Sequence, residues 1–246
     1  MSTFDGIVDE FPGIRIDYFR AIPGRPHPKV HFLSHVHSDH LQGLERPGGP
    51  FIYCSPATRE ILLRLEKHPH QINFHKGILE SRKPTYKHLT KLVKTIPLNT
   101  PTEIELDPTR SMRVTLLDAN HCIGAVMFLI QDDSKAILYT GDVRSEPIWV
   151  DSLISNPVVL PFCSPHGPKR LAKIYLDTTF ATKEEVHRNF PTKAAGLKEL
   201  IGKVKPYPED TIFHFNAWTF GYEDVWKMLA NYFGSQVCFT TTPQSI

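Results

Sequence analysis

Six residues, His35-x-His37-x-Asp39-His40, constrain this chain of 246 residues more than any other stretch. At this content of His and Asp, chance produces such a pattern on the order of once in 500 sequences. Neutral imidazole and carboxylate are ligands of zinc and similar borderline ions. His35 and His37, two apart, are expected to leave a strand over Val30–Ser34 on one face, and the turn that follows swings Asp39 and His40 to a neighbouring point. The backbone between the four is too short to wrap them all around one tetrahedral ion. Two adjacent ions fit better, and a solvated histidine-rich turn is the bland alternative.

A chain of this length with 41% hydrophobic residues has enough apolar side chain for a substantial core. The acidic start, Met1 to Gly6, lacks a basic flank followed by an apolar block, so neither secretion nor membrane insertion is expected. Cys54, Cys122, Cys163 and Cys238 lie far apart, which indicates neither a disulfide framework nor a thiolate zinc site and fits a reducing compartment. The net charge of +2 is unevenly spread. Arg64, Lys67, Lys76, Arg82, Lys83, Lys87, Lys91 and Lys94 face only Glu66 and Glu80 across one segment. Such a stretch can follow a phosphate backbone by releasing counterions, or it is simply a solvated insertion.

Alternating or apolar runs predict strands over residues 14–18, Val30–Ser34, Phe51–Cys54, Leu92–Leu98, Glu103–Leu106, Arg113–Leu117, Ala125–Ile130, Ala136–Thr140, a buried Leu171–Leu176, Thr211–Phe215 and Gln236–Phe239. Ser55-Pro56 is a helix start, and helices are predicted over Ile148–Ile154, Thr192–Val204 and Tyr222–Phe233. Residues 66–91 read as a loop-rich, basic excursion, and Pro157–Pro168 as a proline-rich loop. Asp17, the His35–His40 cluster, His121, Asp142 and Asp177 each follow a predicted strand. Strands of one sheet end side by side, so these points can line a single rim. There His121 can join His35 and His37 on one ion, Asp39 and His40 can hold another, and Asp142 can bridge them.

The cluster, His121, Thr140-Gly141-Asp142 and Asp17 resemble the motifs of the metallo-β-lactamase superfamily. Phe32-Leu33-Ser34-His35, His121-Cys122 followed by Gly124, Leu138 to Asp142 with Arg144, and Tyr175 to Phe180 are similar to the β-CASP DNA-repair nucleases. Phe4-Asp5-Gly6 followed by Ile14-x-Ile16-Asp17 is similar to the Artemis branch, and the resemblance runs from about Phe4 to Tyr232.

The resemblance implies an α/β fold, the metallo-β-lactamase αββα sandwich, over residues 1–180, with an incomplete β-CASP domain beginning in 181–246. It implies His35, His37, Asp39, His40, His121 and Asp142 as metal ligands, Asp177 as the carboxylate of the first β-CASP motif, and Asp17 as the residue that holds the metal loop. One or two zinc ions, with magnesium or manganese as alternatives, would serve hydrolysis of DNA at ends, hairpins or single strands. End-joining or crosslink repair in the nucleus, with repair proteins as partners, is the implied setting. Two departures stand out: Ile123 and Ala125 replace the family's Pro and Ser, and its later histidine motifs are expected beyond Ile246, as in a C-terminally truncated chain. An RNA or small-ester hydrolase, and a catalytically impaired binding or scaffold protein, are the competing expectations.

Overall fold

The computed structural model describes residues 4–45, 49–66, 84–164, 166–181, 190–215 and 220–237. Two compact units divide the chain, Met1–Asp177 and Thr178–Ile246. The first holds two sheets. Parallel strands β1 (Ile14–Ile16), β2 (Val30–Phe32), β3 (Ile52–Cys54) and β4 (Val93–Thr95) form one in sequence order. β5 (Thr102–Asp107), β6 (Arg110–Asp118), β7 (Val126–Gln131) and β8 (Ala136–Tyr139) form an antiparallel meander, and β9 (Lys173–Tyr175) adds parallel to β8.

Alternation of side chains across each strand builds the layers. Ile14, Ile16, Val30 and Phe32 of the first sheet meet Val114, Leu116, Phe128, Ile130 and Ile137 of the second in the central core. Phe32 and Phe128 pack there with ring centroids 5.2 Å apart, and burying each side chain contributes about 1.5–3 kcal/mol. The other faces take helices. α1 (Pro56–Leu62) puts Leu62 against Leu33, Ile52 and Val93. α2 (Pro147–Ile154) and the one-turn α3 (Leu160–Cys163) put Trp149, Leu153 and Phe162 against Leu117, Met127 and Leu129. Helix, sheet, sheet and helix make the αββα sandwich that the sequence predicts.

In the second unit, α4 (Lys193–Val204) and α5 (Glu223–Phe233) pack together and bury Val204 and Leu229. Thr192 caps α4 by accepting a bond from the Ala195 amide at 3.1 Å.

Several elements differ from the sequence expectations. Residues 211–215 form no strand; an alternating apolar run needs a neighbouring edge to pair with, and Phe213 instead lies between the rings of Tyr207 and Phe233. Gln236 and Val237 are likewise not a strand, and the rest of that expected element lies outside the described residues. The proline-rich segment contains α3, because Pro161 sits in its first turn, where no amide is needed. β9 is an edge strand with Ile174 52% exposed, not a buried one. Most of the basic excursion, residues 67–83, lies outside the described residues. Among the described residues no helix is long and apolar enough to cross a membrane.

Candidate metal centre

β6, β8 and β9 run in one direction, so their C-terminal ends share a rim, and the segments that follow β1 and β2 reach the same place. β2 stops at Phe32, earlier than its sequence suggests, so His35 and His37 stand on irregular backbone beyond the strand rather than on its face. Ser38–His40 then forms a single 3-10 turn that carries Asp39 and His40.

The ring nitrogens converge. His35 Nε2 lies 3.0 Å from His37 Nδ1, which lies 3.2 Å from His121 Nε2. Tetrahedral zinc with nitrogens at 2.0–2.1 Å spaces them about 3.3 Å apart, so these three atoms already have the separation of co-ligands. Cys122 offers a fourth atom to this group, and His35, His40 and Asp142 make a second group that shares His35. Asp142 faces three imidazoles, at 3.7 Å from His35, 3.3 Å from His40 and 3.6 Å from His121.

The second group carries excess negative charge. His40 Nε2 stands 3.3 Å from Asp142 and 3.4 Å from Asp39, and His40 Nδ1 stands 3.0 Å from Asp17. Burial opposes a charge on His40, but Asp17, Asp142 and Asp39 outweigh it and push its pKa up to about 12. Its contact with His40 holds the Asp39 carboxyl well below the ordinary range. His35 moves the other way, since burial and the neighbouring His40 charge keep it neutral. Burial likewise lowers His121. Within this enclosure His40 Nε2 is buried and meets Asp39 and Asp142 only at ion-pair distance, without a well-directed hydrogen bond to either. Neutral His35 and His121, a buried nitrogen held only at ion-pair distance and surplus carboxylate together fit a cation, so the residues present suit the metal that their chemistry implies.

The His121 loop is braced from α1. The hydroxyls of Ser55 and Thr58 both donate to the Gly124 carbonyl at 2.8 Å. Gly124 has φ +83°, and a Cβ there would stand 2.8 Å from the Thr58 amide nitrogen and Oγ1. Gly124→Ala is therefore expected to cost at least about 1–2 kcal/mol from the left-handed backbone alone. A denaturant-unfolding midpoint equal to wild type would contradict this.

Asp177 ends β9, and its backbone amide donates to Thr140 Oγ1 at 2.9 Å while its Oδ2 accepts from the Val143 amide at 3.3 Å. It thus braces the turn that carries Asp142. Asp17 lies below the metal-facing atoms and is bonded to Ser34 and His40. Sequence reasoning passed over Cys122 and Ser34 as site residues. The adjacency of Cys122 to His121 was the available signal; for Ser34 it was its place directly before His35.

The family described as Anti-Pycsar protein Apyc1 matches residues 27–191. Protein artemis of Homo sapiens is 31% identical over 259 residues, covering 96% of this chain and 33% of its own length. The 5′ exonuclease Apollo of Rattus norvegicus is 28% identical, covering 98% of this chain and 38% of its own length. The chain thus spans about a third of the length of the curated relatives it matches. Among solved structures, Zn(2+)-bound PqqB from Methylobacterium extorquens aligns with a TM-score of 0.34 and 19% identity, over 55% of this chain and 46% of that one.

Proposed function

This chain belongs to the family described as Anti-Pycsar protein Apyc1 and is a relative of Artemis and Apollo, and on that premise we propose that it carries the metal centre of a DNA phosphodiesterase. The observation that carries the reading is the pair of ligand groups meeting at His35, with Asp142 facing both. His35, His37 and His121 would hold one ion through their ring nitrogens. Asp39 and His40 would hold the other, with Asp142 placed to reach both. Zinc is the ion favoured by this nitrogen-rich set, with magnesium or manganese suited to the carboxylate side. Bound there, a metal pair supplies Lewis acidity toward a phosphate oxygen and lowers the pKa of water.

The chain's own residues do the positioning. Asp177 braces the Asp142 turn through the Val143 amide, and Asp17 holds the His40 ring from behind. Arg64, Lys87, Lys91 and Lys94 supply positive charge for a phosphate backbone. The name of Apollo favours attack from 5′ ends. Hairpin or overhang cleavage, end-joining or crosslink repair with protein partners, and a nuclear place of action extend the proposal by resemblance alone. The identification of residues 181–246 as the start of a β-CASP domain is proposed on the same ground.

The test uses the whole chain, loaded with zinc, against 5′-labelled single-stranded DNA, hairpin DNA and RNA of the same sequence. Shortening of the DNA that a chelator abolishes and zinc restores is the expected result. Equal or faster cleavage of RNA moves the substrate to RNA. Zinc bound without cleavage of any of the three sinks the nuclease proposal and leaves a binding module.

A further inference from the structure

We propose that Ser34 is a positioning residue whose hydroxyl links Asp17 to His35, so that one buried carboxylate sets the imidazole orientation in both halves of the metal centre. The inference rests on the metal reading of the site but not on any substrate.

Both carboxylate oxygens of Asp17 accept from Ser34. Its Oδ1 accepts from the Ser34 amide at 2.7 Å and its Oδ2 from the Ser34 hydroxyl at 2.7 Å. A hydroxyl has one proton, so Ser34 Oγ can only accept from its other neighbour, His35 Nδ1, at 2.9 Å. His35 must then carry its proton on Nδ1, and its Nε2 lone pair is left facing His37 and His121. On its other side Asp17 Oδ2 takes the Nδ1 proton of His40 at 3.0 Å, which aims His40 Nε2 at Asp39 and Asp142. His37 differs, since it turns Nδ1 itself inward. The carboxylate reaches one half of the site directly and the other through a single hydroxyl.

Two further features support a built device. Asp17 holds φ +55°, an unfavourable backbone for a residue with a side chain, at a position 5% exposed. The turn after β8 packs on Ser34 so closely that a Cβ on Gly141 would lie 3.1 Å from the Ser34 Cβ. Ser34 is itself 1% exposed, which leaves its hydroxyl no access to water as a substitute partner.

The test is stepwise zinc titration of the whole chain against a competing chelator, with Ser34→Ala and Asp17→Asn beside wild type. Groups that orient a ligand typically change metal affinity by about 10- to 100-fold. Ser34→Ala is expected to weaken the zinc held by His35, His37 and His121 by that factor and the other by less, since His35 stands in both ligand groups. Asp17→Asn is expected to weaken both. Histidine 15N spectra of the zinc-loaded protein add a readout that a merely structural role would not move: His35 should carry its proton on Nδ1 in wild type and lose that single form in Ser34→Ala. Equal loss at both sites in Ser34→Ala, no loss at either, or an unchanged His35 tautomer overturns the relay. A wild-type chain that binds no zinc overturns the metal reading and the relay together. Zinc binding without nucleic-acid cleavage overturns only the nuclease proposal.

Discussion

Asp142→Asn is expected to lower zinc-dependent cleavage by about 100- to 1,000-fold, because the proposed centre would lose a group placed to hold both ions, and with it several kcal/mol of charge stabilisation. Asp142 lies within 3.7 Å of His35, His40 and His121. Asparagine keeps the shape but withdraws the charge and one bridging oxygen, so zinc per chain should fall with activity. Asp151→Asn, an exposed change on α2, serves as the control and should leave both untouched. Elemental analysis of zinc and the rate on single-stranded DNA are the two measurements. An Asp142 variant that retains two ions and half its rate would remove that residue from the centre of the mechanism.

The second large effect concerns pH. In the metal-free protein the carboxylates around His40 raise its pKa to about 12, so at neutral pH the cation at this position is a proton. An incoming metal must displace it. Apparent affinity at the His40 half of the site should therefore rise about tenfold per pH unit, or roughly 100-fold between pH 6 and 8. The sign for stability of the metal-free protein is the reverse. A raised pKa stabilises fully below the unfolded value near 6.5 and is lost as pH climbs toward the folded value. Metal-free protein should accordingly weaken above pH 6.5 while the zinc-loaded form does not. Chelator competition at several pH values and proton release in buffers of different ionisation heat measure the first effect. A flat affinity from pH 6 to 8 would show that His40 does not exchange a proton for metal.

Much of the fold was legible because its signals are local. Ser55-Pro56 marks the start of α1, and Ser55 does accept from the Thr58 amide at 3.1 Å. Asp132 marks the turn between β7 and β8 by accepting the amides of Ser134 and Lys135. An alternating run located β1, and a fully apolar one located β7. Local pattern failed at residues 211–215, where the expected strand found no neighbour to pair with. It also misjudged β9, since an apolar run does not say whether a strand lies at the centre of a sheet or at its edge.

The sequence by itself determined the chemistry. Three imidazoles and a carboxylate within His35–His40, and polar residues placed after successive strands, can be read from spacing alone because ligand type and strand period are local properties. Only the tertiary structure decided how they combine. It brought His121 within 3.2 Å of His37, 84 positions away, and packed Asp17 beneath both His40 and Ser34. It also brought in Cys122 and Ser34, whose parts depend on distance and burial that no residue pattern encodes. The physical reason is that a hydrogen bond acts over about 3 Å of space, whereas the order of residues along the chain sets only which strand end each one occupies.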